Sequence, residues 1–222
     1  MKITYLGHSC FILQSQSGTT IITDPYTKVG YELPSGLSAD AVTVSHGHFD
    51  HNYTQAIQSN VIISTVGAHT VNEVEITGLE SYHDPMQGQL RGKNIIFKYA
   101  IDGMIVCHFG DLGEPISSEL LEKIGKVDVL LIPVGGKYTI DAEQAKEYIE
   151  QIDPRVIIPM HYKPTDGTLD IVGPIAFLKK FNKNFLSIVN NENCVTIKNG
   201  VTQVSANDLP IMQRVIYMER KQ

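Results

Sequence analysis

The chain has 222 residues, 42% of them hydrophobic and 19% charged, so it can bury a substantial core as an ordinary globular protein. Its formal charge is −6 and no basic run exceeds a pair such as Lys179-Lys180, which leaves no electrostatic footprint for a nucleic-acid backbone. No apolar run reaches the roughly 18 residues of a membrane span and no basic-then-apolar leader opens the chain, so a soluble, cytoplasmic protein without membrane insertion is expected. Cys10, Cys107 and Cys194 are odd in number and never form C-x-x-C, which predicts three reduced, packed cysteines rather than a disulfide framework.

In chain order, the first half reads as short strands: Ile3 to Leu6, Cys10 to Gln14, Thr19 to Thr23, Ala41 to Ser45, Val61 to Ser64, Val74 to Tyr82, Asn94 to Ala100 and Met104 to Phe109. Turn chemistry at Gln16-Ser17-Gly18, Asp24-Pro25 and Asp102-Gly103 makes this half largely antiparallel sheet. The second half alternates, with a helix from about Pro115 to Ile124, a strand Val127 to Pro133, a helix from about Asp141 to Ile152 and a strand Arg155 to Pro159. Ala142, Ala145, Tyr148, Ile149 and Ile152 recur at helical spacing, with Glu and Lys between them. A helix over Pro174 to Phe181 and a closing strand pair, Phe185 to Val189 and Val195 to Lys198, follow. No repeat or linker divides the chain, so residues 1–222 read as one domain, with sheets covered by helices that each carry one apolar stripe.

The densest chemistry is Ser45-His46-Gly47-His48-Phe49-Asp50-His51, entered from the apolar stretch Ala41 to Val44. Three of the eight histidines fall within six positions. Imidazole and carboxylate suit zinc, manganese, iron or nickel, and on a tight loop these four side chains can converge where strand residues would alternate faces. A polar surface loop is the alternative. His83, Asp111 and His161 each sit at a strand end, where a rigid strand fixes direction and the following loop frees the side chain.

The run His46-x-His48-x-Asp50-His51, with Asp24, His83, Gly110-Asp111 and His161, resembles the metallo-β-lactamase superfamily. Leu6-Gly7-His8-Ser9-Cys10, Thr23-Asp24-Pro25, Pro133-Val134-Gly135-Gly136 and Pro159-Met160-His161-Tyr162 resemble its branch of small metal-dependent hydrolases related to ascorbate-6-phosphate lactonase. This likeness covers residues 1 to about 164 and implies an α/β (α+β) fold, a four-layer αββα sandwich. It also implies two divalent ions, Zn2+ first, with Mn2+, Fe2+ or Ni2+ as alternatives. His46, His48 and His83 would surround one ion, Asp50, His51 and His161 the other, and Asp111 would bridge them. A metal-bridging hydroxide would attack a small ester, lactone, amide or phosphodiester, and Asp50 would also orient or deprotonate the water that supplies it.

Asp24 is expected to hold the metal loop from behind, with a turn-forming role before Pro25 as the alternative. His8 either supports a ligand, contacts substrate or is a hydrogen-bonded structural residue. The family pattern favours His83 over His108 as a ligand, and His69 reads as part of a surface turn. Tyr162, Lys163 and Lys137 are placed to contact an anionic substrate group, while Arg91 and Lys93 read as solvated charges on the loop Asp84 to Asn94. The expected partner is a small-molecule substrate, with no nucleic acid, and self-association into a homo-oligomer is compatible with the sequence. An iron-dependent redox enzyme of the same fold, acting on oxygen or sulfur compounds, is the alternative to hydrolysis.

Overall fold

A computed structural model describes residues 1–189, 194–198, 201–204, 207–208, 213–218 and 220. In chain order the strands and helices are β1 (Lys2–Gly7), β2 (Cys10–Gln14), β3 (Thr20–Thr23), β4 (Ala41–Thr43), β5 (Ile62–Ile63), β6 (Gly67–Val71), β7 (Val74–Tyr82), β8 (Lys93–Ile101) and β9 (Met104–His108). They continue with α1 (Ser118–Ile124), β10 (Val129–Pro133), α2 (Ala142–Ile152), β11 (Val156–Met160), α3 (Ile175–Leu178), β12 (Leu186–Val189), β13 (Cys194–Lys198), β14 (Val201–Val204), β15 (Asn207–Asp208) and β16 (Arg214–Met218).

Two eight-stranded sheets result, ordered β15-β14-β13-β1-β2-β3-β4-β5 and β12-β16-β11-β10-β9-β8-β7-β6. Both are mixed. β1 to β3 and β6 to β9 pair antiparallel, whereas β3, β4 and β5, and likewise β9, β10 and β11, are parallel neighbours. β10 and β11 are buried at every position, the pattern of strands covered on both faces. The main core joins inward residues of both sheets, including Ile3, Phe11, Phe97 and Val106, to Leu120 and Ile124 of α1 and Ala145, Tyr148 and Ile149 of α2. Thr43 and Tyr99 join the two sheets through a buried hydroxyl pair at 2.7 Å.

Sequence-level capping works as physics requires. The Ser117 side chain accepts the Leu120 N–H at the start of α1, and Asp141 and Gln144 form a capping box at the start of α2. Over the first sheet the outer layer is built mainly from loop, with Tyr26, Val29 and Ile57 packed on Leu6, Ile22, Val42 and Val44 and one 3-10 turn at Thr54–Ala56.

Three expectations change. The final strands Phe185 to Val189 and Val195 to Lys198 are not partners: β12 pairs with β16 in one sheet and β13 with β1 in the other. Their similar apolar runs carry no information about which sheet edge is open. His69 lies in edge strand β6 rather than a turn, and the third helix shrinks to four residues. Cys10 and Cys107 are buried free thiols, while the side chain of Cys194 lies outside the described residues.

The pairing directions place chemistry at one edge. β1, β3 and β4 run parallel to one another, as do β7, β9, β10 and β11. Their C-terminal ends deliver His8, Asp24 and His46 from one sheet and His83, Asp111 and His161 from the other. Among the described residues, no helix is long and apolar enough to cross a membrane.

Candidate metal centre

Asp24 is the base of the site. It is wholly buried with a left-handed backbone, φ +38°, and accepts the Ser45 N–H at 2.7 Å, the Ser45 hydroxyl at 2.5 Å and the His51 Nδ1–H at 2.8 Å. Because the Ser45 hydroxyl donates to Asp24, its oxygen accepts the His46 Nδ1–H at 3.0 Å. One carboxylate thereby sets two imidazoles, turning Nε2 of both His46 and His51 inward, where neither has a hydrogen-bond partner. Burial works to raise the Asp24 pKa, but the hydrogen bond and charge of His51 overcome it and hold the carboxyl below its ordinary value.

Asp111 occupies the centre. Its carboxylate lies 3.1 Å from His51 Nε2, 3.2 Å from His83 Nε2, 3.1 Å from His161 Nε2 and 3.8 Å from His46 Nε2. Burial pushes its pKa up, yet His161 and His51 together hold it well below the usual carboxylate range. The backbone beneath it is fixed by Asn94, whose Oδ1 accepts the Asp111 N–H at 2.9 Å while its amide donates to Ser81 Oγ and Phe109 O. Gly110 must be glycine: φ is +54°, and a Cβ would lie 2.4 Å from Asn94 Oδ1 and 2.6 Å from Ser45 Cβ. Neither Asn94 nor Ser45 stood out in the sequence, because an isolated Asn in a strand and a Ser beside a His have many ordinary uses.

Three groups of ligand atoms fall within 4.8 Å of one another: His46 with His48 and His83; His46 with His51 and Asp111; and His8 with Asp50, His51 and His161. The seven side chains singled out from the sequence as ligands therefore meet, and His8 joins them. Its Nε2 lies 3.2 Å from Asp50 Oδ2. The strand ends fix several backbones: the His83 N–H donates to Gly92 O and the His161 N–H to His8 O. Of the group, His48 is exposed and Asp50 half-buried.

Five buried atoms here have no hydrogen-bond partner: His46 Nε2, His51 Nε2, His83 Nδ1, His161 Nδ1 and Asp111 Oδ1. Orphaned buried polar atoms are costly, and His46 Nε2, His51 Nε2 and Asp111 Oδ1 come from a single one of the three groups. A cation satisfies such atoms, and an all-nitrogen-and-oxygen donor set fits a divalent transition metal. Burial also lowers the pKa of His46 to about 3 and of His8 to about 4, keeping both rings neutral near pH 7. Burial opposes the charged form of His51 too, but Asp111 and Asp24 hold its pKa well above the ordinary value.

Other residues fall outside this constellation. His108 donates Nε2–H to Ser9 O at 2.8 Å and accepts the Gly110 N–H at Nδ1, so both ring nitrogens serve the backbone. Tyr162 corrects an expectation: its ring is buried and its hydroxyl, committed to Met218 O, is not offered to a ligand in the cluster. Lys163 lines a neighbouring cavity of about 340 Å3 with Tyr5, Tyr31, Tyr217 and Arg220, and none of the seven candidate ligands borders it. Lys137 is ion-paired with Asp170 and lies 5.6 Å from the Tyr138 ring centre, with Arg91 at the same distance. Lys93 pairs with Glu80 at the surface.

Comparison with known proteins agrees with this geometry. The profile of the Beta-lactamase superfamily domain matches residues 2–161. A UPF0173 protein of Pyrococcus furiosus is 33% identical over 201 residues, covering 82% of this chain and 91% of the relative. A UPF0173 metal-dependent hydrolase of Carboxydothermus hydrogenoformans is 28% identical over 192 residues, covering 73% and 84%. The crystal structure of a candidate Zn-dependent hydrolase of the metallo-beta-lactamase superfamily from Thermotoga maritima superposes with a TM-score of 0.78 at 38% identity, covering 98% of each chain. With two mixed sheets that meet at a His/Asp-lined edge, the chain belongs to the metallo-beta-lactamase superfamily and, within it, to the UPF0173 metal-dependent hydrolases.

Proposed function

We propose that the protein hydrolyses a small ester, lactone, amide or phosphodiester at a two-ion centre. His46, His48 and His83 would hold one divalent ion and Asp50, His51 and His161 the second, with Asp111 available to both. When bound, such ions supply Lewis acidity and lower the pKa of water from 15.7 toward about 7. The observation that carries this reading is the convergence of inward-facing nitrogen and oxygen atoms with no partner in the protein.

The residues divide the remaining work by exposure. Asp111 is 3% exposed at its side chain and serves as a fixed central charge, whereas Asp50 is 14% exposed and can meet water and substrate. Burial raises the Asp50 pKa, but the His8 hydrogen bond and the His51 charge hold it well below the usual carboxylate range, so it is ionised near pH 7 and available to orient water. Asp50 accepts the proton of the attacking water and returns it to the leaving oxygen or nitrogen. His48 is the exposed member of the cluster. Lactones come first among substrates to test because Leu6-Gly7-His8-Ser9-Cys10 and Pro159-Met160-His161-Tyr162 resemble, at the level of sequence motifs, ascorbate-6-phosphate lactonase relatives.

A panel of lactones, phosphodiesters and thioesters, assayed with the zinc- or manganese-loaded protein, tests this directly. Turnover of at least one class, reduced about 100-fold or more in Asp50→Ala, is expected. Iron in the purified protein together with oxygen uptake, and no hydrolysis, would replace this reading with the redox alternative.

A further inference from the structure

His8 occupies a place where a side chain is costly. Gly7 pairs with Cys10, so His8 and Ser9 are the two-residue turn between β1 and β2, and His8 sits at φ +52°. The first position of such a hairpin turn, with positive φ, ordinarily takes glycine. A larger residue kept in this conformation points to work done by its side chain. Its backbone is held at both polar atoms: the N–H donates to Tyr31 Oη at 3.1 Å, and the carbonyl accepts the His161 N–H at 2.9 Å and the Tyr5 hydroxyl at 3.2 Å. Gly7 completes the clamp, because a Cβ there would lie 2.7 Å from the Tyr31 ring and 2.9 Å from Tyr26 Oη.

The imidazole so fixed is 1% exposed, with its ring centre 4.3 Å from that of His161 and 5.0 Å from that of His51. Its Nε2 reaches Asp50 Oδ2 at 3.2 Å. Among the described residues, His8 is the one side chain hydrogen-bonded to Asp50; His51 Nε2 stands off at 3.8 Å. Asp50 lies on the loop after His48 and has no strand of its own to aim it.

We infer that His8 is a positioning residue for Asp50. By donating Nε2–H to Oδ2 it fixes the carboxylate's rotamer and holds that oxygen beside His51 Nε2. It also ties the β1–β2 turn of one sheet to the His161 strand end of the other, so that Asp50 and His161 keep a common geometry. This rests on the two-ion reading above, with His8 outside the ligand set.

Zinc affinity, measured by competition with a chromophoric chelator on the full chain, separates the possibilities without an activity assay. His8→Asn keeps a residue that tolerates positive φ but is too short to reach Asp50, whereas His8→Gln places an amide N–H near the position of Nε2. The His8→Asn protein is expected to bind as many ions as wild type, with one of them weakened about 10- to 100-fold, and His8→Gln to recover most of that loss. In an Asp50→Ala background, His8→Asn is expected to add no further loss. Loss of a whole ion in His8→Asn would make His8 a ligand, and an equal loss in the Asp50→Ala background would mean that His8 acts through the fold. Either result overturns the inference while leaving the hydrolase reading standing. A wild-type protein that binds no zinc overturns that reading, and this inference with it.

Discussion

Asp24 shows how much one side chain can control. It accepts three hydrogen bonds in full burial, and two of them set the tautomers of His46 and His51. Asp24→Ala is expected to destabilise the metal-free protein by about 3–5 kcal/mol, since it removes one of the two carboxylates paired with the buried His51 and leaves the Ser45 N–H and hydroxyl without their acceptor. Urea unfolding of the chelated protein measures this, and a change below about 1 kcal/mol would show that Asp24 is a turn residue only. The neutral imidazoles predict a pH dependence. His8 and His46 are lowered from 6.5 to about 4 and about 3, so below pH 6.5 the unfolded chain binds protons that the folded chain does not. Stability of the metal-free protein is therefore expected to fall as pH drops from 6.5 to 4, read as a declining thermal midpoint. His51, with its raised pKa, is protonated throughout this window and adds no slope, and the lowered carboxylates act only below it. A flat midpoint across that range would contradict the neutral, buried state of His8 and His46.

At the scale of elements, what was legible depended on whether the signal was local. The loop His46 to His51 could be read because its candidate ligands sit within six positions, and α2 because its stripe repeats at helical spacing under an Asp141 cap. Strand β6 could not: Gly67-Ala68-His69-Thr70 lacks an alternating apolar face, and its partner β7 supplies the pairing. Asp84 was read only as part of a polar loop, yet its buried carboxylate accepts the N–H groups of Met86, Gly88, Leu90 and Arg91. It therefore acts as the core of the loop that follows His83. Asp84→Ala is expected to speed hydrogen exchange at those four amides about tenfold or more, with little change at β10 and β11. Unchanged exchange in the loop would mean that its shape is set by Gly88 and Gly92 alone.

For the whole molecule, pairing direction matters more than any single motif. Candidate ligands separated by as many as 115 residues, from His46 to His161, meet because their strands end at the same edge of two facing sheets. The sequence identified these residue types and the strand ends, but not that β12 and β13 part to opposite sheets, nor which of its possible roles His8 would take through its bond to Asp50. Both depend on long-range pairing that no short window contains. The central claim is that the converging atoms are built for two ions. Crystals of protein purified without added metal, with anomalous diffraction collected at the zinc, manganese and iron edges, test it most directly. The account predicts two peaks roughly 3.5–4 Å apart flanking the Asp111 carboxylate, one beside His46, His48 and His83 and the other beside Asp50, His51 and His161. A single ion held away from Asp111, or the imidazoles of His83 and His161 turned outward with no ion between them, would contradict it.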